Sequence, residues 1–456
     1  MTATAPPPGS GRPSERAVGD VLARPIGRRV TLAAAAALGA GLAAAPRSEA
    51  QPVATRARIV IVGAGAAGLA AASRLAQRLS GAEITLVDRR REHLYQPGFT
   101  LVAAGLKDPS YVLSTTAEYV ARGVRLVEER AAEIDPVAKV VTTEGGQRLA
   151  YDWLIVATGL HLDYDAIEGM DVGRIGRDGL GSIYAGPQQA AATWRAMAAF
   201  AERGGVGVFG RPETEMKCAG APLKYAFLTD DRLRRAGTRG RAELIYHAQN
   251  RTLFSVPIVA EKVRMLFAER DIKVAHAHVL KGVDLGRKIA LFETPEGRKE
   301  QPYDFINVVP PMRAPAVVRN SPLRWQAGPW AGDGWAEVNR HTLRHVRFPE
   351  VFCVGDVAGV PKGKTAASVK WQVPVAVDHL VAAIEGRESR ESYNGYTSCP
   401  LITRIGRAML VEFDYNDNLV PSFPGVIAPL EELWISWIMK EVALKPTYLA
   451  MLRGRA

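Results

Sequence analysis

Cysteine is scarce: Cys218, Cys353 and Cys399 are the three in 456 residues, and none stands in a CxxC or CxxCH arrangement. That excludes a sequence-adjacent thioredoxin-like pair and a covalent haem. Long apolar runs are also missing, since beyond residue 50 no segment reaches about 18 uncharged apolar residues, the length of a membrane-crossing helix. Histidine offers little for a metal. His276 and His278 are expected to alternate on one strand without a third residue at ligand spacing, and His93, His247 and His379 stand alone. Acidic excess is absent too, with 58 Lys and Arg against 47 Asp and Glu and a formal charge of +11. The basic residues are scattered, without zinc-finger spacing or a basic helix, so nucleic acid is not expected as a partner. An anionic membrane and a small anionic substrate suit such a surface equally. What is present is a chain long enough for two or three domains, 47% hydrophobic and ample for filled cores.

The first 50 residues differ from the rest. Residues 1–27 are rich in Pro, Ser, Gly and Arg, Arg28 and Arg29 form a basic pair, and VTLAAAAALGAGLAAA follows before Ser48, Glu49 and Ala50. Basic region, apolar region and small-residue site in that order read as an export leader, and GRRVTL as a twin-arginine signal. A disordered extension with an Ala-rich helix and an Arg-rich organellar presequence are the alternatives.

From Arg58 the pattern is that of a dinucleotide fold. A buried strand at Ile59 to Val62 runs into Gly63, Gly65, Ala67 and Gly68, then an Ala/Leu helix, then a strand at Ile84 to Val87 ending in Asp88. Gly63 permits the tight turn, Gly65 lets backbone approach pyrophosphate, and Gly68 brings helix onto strand. The helix start supplies the anion site, and Asp88 lies where a carboxylate accepts ribose hydroxyls. Two later strand ends, YDWLIVATGL with Thr158 and Gly159 and PEVFCVGDVAG with Gly355 and Asp356, resemble the segments that close the flavin site in flavoproteins with two dinucleotide domains, and that resemblance implies FAD rather than NAD. KGKTAASVKWQ then reads as a helix start, with Thr365 and free amides facing the flavin's C2 carbonyl. Lys364 within it is either a charge for reduced flavin or quinone oxygen, or a solvated helix-cap lysine.

A second fold opens with a strand at Val206 to Phe209, but its loop departs from the fingerprint. After Gly210 come Arg211, Pro212, Glu213, Thr214 and Glu215, so two glycines are missing and two carboxylates stand near the place of a pyrophosphate. Hydride delivery from NAD(P)H is not expected there.

Cys353, within VFCV, reads as a small buried hydrophobe. Cys218 precedes a helix and has Lys217 and Lys224 nearby, both of which favour a thiolate. Cys399 lies in the turn-rich YNGYTSCPLIT, where a thiol can be held at a surface. On local chemistry alone, a redox pair and two separate structural cysteines both remain open.

The segments MKCAGAPLK, GDVAGVPKGKTAA, YNGYTSCPLITRIGRAMLVEFDYN and IMKEVALKPTYLAMLRG resemble sulfide:quinone oxidoreductase, and the likeness runs through most of 57–456. The resemblance implies that Cys218 and Cys399 are the redox pair beside the flavin, with the persulfide on Cys399 and charge passing from Cys218 to the ring. It implies sulfide, a small sulfur acceptor and a quinone as partners, and a peripheral, monotopic membrane contact. With the leader, that contact is expected on the periplasmic face, the cytoplasmic face of the inner membrane being the alternative. EHLYQPGF has no cysteine where flavocytochrome relatives tether FAD, so the flavin is expected to be non-covalent. The other functions open to such a chain are the flavoprotein subunit of a flavocytochrome c sulfide dehydrogenase, an NADH:quinone reductase, and a non-catalytic FAD-containing scaffold.

Along the tail, Leu430, Leu433, Trp434, Trp437 and Ile438 recur with helical spacing, Pro446 is expected to divide two short helices, and Tyr448, Leu449, Met451 and Leu452 sit beside Arg453 and Arg455. An element lying in a headgroup layer fits this pattern, with Val420 to Val426 lining a quinone passage. A packed helix hairpin and a dimer contact in a homo-oligomer fit it as well. The expected plan is α/β: a leader at 1–50, an FAD domain at 57–165 and 330–385, a degenerate second dinucleotide domain at 166–329, and a cysteine-bearing membrane and quinone region at 386–456.

Overall fold

The architecture is that of two parallel sheets, each formed from short apolar strands whose two faces are both covered. A computed structural model describes residues 51–456, so the export-leader expectation lies outside the described residues. In the first sheet the strands run in the order Val351–Cys353, Trp153–Val156, Arg58–Val62, Glu83–Val87 and Arg125–Val127, all parallel. Their RIVIV, EITLV and WLIV runs are nearly continuous apolar sequence, as burial on both faces demands. Register places Val351 opposite Leu154, so the chain returns to this sheet after building the second. The helices Ala66–Arg78 and Ala366–Ile384 pack on each other beside it.

The second sheet takes Leu180–Gly181, Phe305–Asn307, Gly205–Gly210, Ala242–Ala248 and Ile272–His276 in that order, again all parallel. Phe200, Phe209, Tyr225 and Phe305 form its aromatic centre with ring centroids 5.7 to 6.4 Å apart. His276 and His278 do not alternate on one strand as expected. The strand ends at His276, Ala277 turns through φ 57°, and His278 falls before the next strand, Val279–Asp284.

Two corrections concern the C-terminal region. Cys399, expected in a surface turn, lies on the strand Thr397–Arg404 of a hairpin with Arg407–Phe413 and is only 4% exposed. Pro400 is tolerated there because the sheet has two strands, leaving a free edge that requires no N–H from proline. The tail is also continuous: Trp434–Ile438 passes through a π-turn, Met439–Ala443, into the helix Leu444–Leu452. Pro446 makes no break: it lies within the continuous helical tail, just beyond the π-turn. Leu430 and Leu433 precede the helical residues.

Tyr448, Met451 and Leu452 are buried in the protein rather than presented to a headgroup layer, and Trp437 joins them in the core. The end of the tail grips the first helix: Ser73 Oγ donates to the Leu452 carbonyl at 2.7 Å, Gln77 Nε2 to that of Arg453 at 2.9 Å, and Arg74 to that of Ala456. The packed-helix alternative therefore describes the inner face, while Trp434 and Val442 stay exposed on the outer one. Among the described residues no helix is long and apolar enough to cross a membrane.

Candidate active site

Three glycines after the first strand divide into two kinds by what a side chain would meet. At Gly63, which turns through φ 102°, an added Cβ would lie 2.4 Å from the Ala157 carbonyl oxygen, and at Gly68 it would lie 1.7 Å from that of Gly63. Both are therefore required by backbone packing. At Gly65 the nearest atom is an Arg90 guanidinium nitrogen 3.8 Å away, so that missing side chain leaves open space on the cleft wall.

That cleft has roughly 1520 Å³ of empty space, counting the part open to solvent, and collects most of the residues the sequence singled out. Gly65, Ala67, Thr158, Gly159, Gly355, Asp356, Lys364, Thr365, Cys218 and Cys399 all line it. Gly63, Gly68 and Asp88 stand behind the wall. Asp88 accepts from the Ala64 amide at 2.7 Å, from the Arg90 amide at 2.9 Å and from the Arg90 guanidinium at 2.7 Å. Burial opposes its charge, but these donors outweigh burial and hold the carboxyl below its usual range.

Two features fit a dinucleotide. The Thr158 hydroxyl is buried without a partner, and a buried polar atom of that kind calls for one. Thr365 caps the helix Ala366–Ile384 by accepting from the Ser368 amide, so the helix start, with Ala366 and Ala367, opens onto the cleft.

The loop after Gly210 is anchored by an ion pair and leads to one of the cleft sulfurs. Glu213 pairs with Lys281 at 2.7 Å, and the chain reaches Cys218 before the helix Ala221–Arg235 begins. Cys218 adopts φ 50°, a left-handed conformation that is uncommon for a residue with a side chain. Its amide donates to the Lys364 carbonyl at 3.0 Å, tying the loop to the cleft's other wall. The Cys399 sulfur sits where a Cβ on Gly220 would come within 2.3 Å of it, so only glycine leaves it room.

Residues 218 and 399 are thus brought together as free thiols within hydrogen-bonding reach of each other. Their acidities diverge. A hydrogen bond from Cys399 is the main cause that holds Cys218 well below the usual thiol range, aided by Lys224, whose Nζ lies 3.5 Å from the Cys218 sulfur, and by Lys440. The same bond, with burial, pushes Cys399 well up. Cys218 is the thiolate of the pair. Cys353 lies fully buried in its strand away from the cleft, and burial pushes its thiol up.

Sequence reasoning missed Lys440. It arrives from the tail, is 2% exposed, and donates to the Pro97 carbonyl. Burial, then repulsion from Lys224, lowers it to about 7. In sequence it stands beside Glu441 and near Lys445, so nothing in the tail pattern singles it out. Lys364 is likewise no solvated cap: its ammonium donates to the carbonyls of Asp356 at 2.7 Å and Ala358 at 2.9 Å and lies 3.7 Å from the Trp335 ring centroid. Burial lowers it to about 8. The segment Val420 to Val426 does not line the cleft; the tail's contribution is Lys440, Leu444 and Tyr448.

A family model described as pyridine nucleotide-disulphide oxidoreductase matches residues 57–183. Over 355 residues the chain is 34% identical to the mitochondrial sulfide:quinone oxidoreductase of Mus musculus, covering 77% of each protein. The chain belongs to the sulfide:quinone oxidoreductase family. The Dictyostelium discoideum mitochondrial sulfide:quinone oxidoreductase is 33% identical over 374 residues, 82% of this chain and 80% of that one. The X-ray structure of the Aquifex aeolicus sulfide:quinone oxidoreductase shares the fold, with a TM-score of 0.70 at 21% identity over 88% of this chain and 92% of that chain. As a member of the sulfide:quinone oxidoreductase family, the protein is an FAD-dependent oxidoreductase.

Within this sulfide:quinone oxidoreductase-family site, Lys440 has a measurable effect. Its ammonium makes the Cys218 thiol more acidic, so Lys440→Met makes that thiol harder to ionise. The pH profile of iodoacetamide labelling at Cys218 in reduced protein is then expected to move to higher pH, slowing labelling about tenfold at pH values well below the parent's midpoint if that midpoint rises by about one pH unit. An unmoved profile would show that Lys440 has no electrostatic hold on the sulfur.

Proposed function

We propose that this protein oxidises sulfide at the Cys218 and Cys399 sulfurs and passes two electrons through non-covalently bound FAD to a membrane quinone. The observation that carries the reading is the meeting, in one cleft, of two sulfurs 181 positions apart with the glycine, Thr158 and helix-start features that suit a dinucleotide. Gly65, Ala67, Thr158, Gly159, Gly355, Asp356 and Thr365 would hold FAD, with Gly63, Gly68 and Asp88 fixing the loop from behind. When bound, FAD supplies an acceptor for two electrons that a quinone can discharge.

The rest follows from the chain's own groups. In the oxidised pair, hydrosulfide attacks the Cys399 sulfur, the S–S bond breaks, and its electron pair leaves on Cys218 as thiolate, giving a persulfide on Cys399. The direction of cleavage follows from electrostatics. Lys224 and Lys440 act on both sulfurs, but the Lys224 ammonium lies 3.5 Å from that of Cys218 and donates to it, and the better-stabilised thiolate is the better leaving group. A small nucleophile then takes the outer sulfur from Cys399, two electrons leave the site, and the bond between the two cysteines re-forms.

Anaerobic sulfide is expected to bleach the flavin absorbance of the purified protein, decylubiquinone to restore it, and cytochrome c and NADH to have no such effect. Bleaching by NADH but not by sulfide would sink the reading, and restoration by cytochrome c alone would favour a flavocytochrome subunit.

Exposed Trp434 and Val442 on the outer face of the tail are the proposed membrane contact. Replacing both with Ser is expected to cut co-sedimentation with anionic phospholipid vesicles about tenfold, the effect of losing ~1.4 kcal/mol of apolar burial. Equal sedimentation of variant and parent would place the contact elsewhere.

A further inference from the structure

Cys218 holds a backbone conformation that a residue with a side chain leaves readily, since the left-handed region costs roughly 1–2 kcal/mol per residue. Three bonds keep it there. Its N–H donates to the Lys364 carbonyl at 3.0 Å, and its own carbonyl accepts from the Ala221 amide at 2.7 Å. The third is the one side-chain bond: the Tyr184 hydroxyl, lying 3.2 Å from the Cys218 carbonyl oxygen and 3.3 Å from that of Lys217.

Tyr184 is suited to this task by where it stands. It follows the first strand of the second sheet, Leu180–Gly181, is 6% exposed, and lines the cleft. Burial pushes its hydroxyl well up, so the proton is retained and the group remains a donor wherever the thiols titrate. The Lys217 ammonium lies 5.9 Å from the ring centroid and donates to Gln96 at 2.7 Å, so the Tyr184 hydroxyl is the side-chain donor that reaches both successive carbonyls. Nothing in the sequence marked this tyrosine, because its partners are backbone atoms 33 and 34 residues away.

We propose that Tyr184 is a positioning residue for the sulfur chemistry: by fastening the carbonyls of Lys217 and Cys218, its hydroxyl holds Cys218 left-handed with its sulfur on Cys399. The inference rests on the cysteine roles proposed above and assigns to the second sheet a part in them. The second dinucleotide fold, in place of a nucleotide, thus supplies both the loop that carries one sulfur and the clamp that aims it. Loss of the clamp releases the left-handed residue, loosens the contact with Cys399, and removes the main influence that keeps Cys218 a thiolate.

The groups that face Cys218 are Cys399 from the hairpin, Lys224 from its own helix, Lys440 from the tail, Lys217 from its loop, Asp356 from the first sheet and Tyr184. Tyr184→Phe leaves all the charged members in place. The test is iodoacetamide labelling of Cys218 as a function of pH in reduced, FAD-containing protein without sulfide or quinone. In Tyr184→Phe the labelling midpoint is expected to lie about one pH unit higher, so that labelling at any pH well below the parent's midpoint is about tenfold slower. In a Cys399→Ala background, which removes the donor at 399, the same substitution is expected to change the rate less than about twofold, because the contact it protects is already gone.

A ring-fluorinated tyrosine at 184, which keeps both shape and donor, is expected to give the parent profile and needs no deletion in the core. Superimposable profiles for Tyr184→Phe and parent, an equal slowing with and without Cys399, or a displaced profile with the fluorinated residue would each overturn the proposal. Because the readout requires no turnover, failure here is distinct from failure of the sulfide reading, which sulfide bleaching reports separately.

Discussion

Protein carrying Cys218→Ser keeps its flavin and loses sulfide-driven bleaching. The rate is expected to drop to background, at least about 10³-fold, as when one member of a group acting as a unit is deleted. Serine keeps the size of the side chain but gives neither a soft nucleophile nor an accessible leaving anion. The glycine loop, Thr158 and the capped helix start are untouched, so FAD content and the oxidised spectrum should match the parent. Cys399→Ser is expected to behave alike, whereas Cys353→Ala, in a fully buried strand position off the cleft, keeps the sulfide response. Anaerobic stopped-flow at the flavin band makes the comparison. Sulfide bleaching at the parental rate in either cleft variant would remove the two sulfurs from the reaction.

The second large effect separates two glycines three positions apart. A methyl at Gly68 would stand 1.7 Å from the Gly63 carbonyl, and that backbone atom has no rotamer through which to yield. Gly68→Ala is therefore expected to lose at least about 3 kcal/mol of stability and to purify without flavin, if it purifies at all. A methyl at Gly65 meets nothing nearer than 3.8 Å, so Gly65→Ala keeps its fold. Its loss falls on FAD affinity, weakened about tenfold for each 1.4 kcal/mol by which the methyl crowds the pyrophosphate. Thermal unfolding and flavin titration together make the distinction; equal Tm values for the two variants would contradict the packing at Gly68.

Those glycines were legible in sequence because strand, turn, helix and second strand are consecutive, and the side chain missing at Gly68 would meet Gly63 in the same turn. The parallel sheets were legible for a similar reason, as their continuous apolar runs require cover on both faces. The resemblance named the two cysteines, but their surroundings were harder to read. Cys399 looked like a turn residue because Pro400 and Gly395 flank it, and propensity does not reveal that a two-stranded hairpin tolerates proline at its open edge. Pro446 misled in the same way, since its place in the sequence does not show that the tail stays helical through it. Lys440 and Tyr184 were invisible: a lysine in an apolar tail reads as an outward charge, and a tyrosine bonded to carbonyls leaves no pattern. What decides both is tertiary burial.

The tail's position has a consequence for how the protein is made. Lys440, Leu444 and Tyr448 form part of the cleft wall, and the last residues, through Leu452, Arg453 and Ala456, are bonded to the helix that follows the first glycine loop. A nascent chain can therefore assemble both sheets on the ribosome and still have an unfinished cleft. Loss of the stretch from Lys440 onward would leave a protein with nearly all its mass and an open wall.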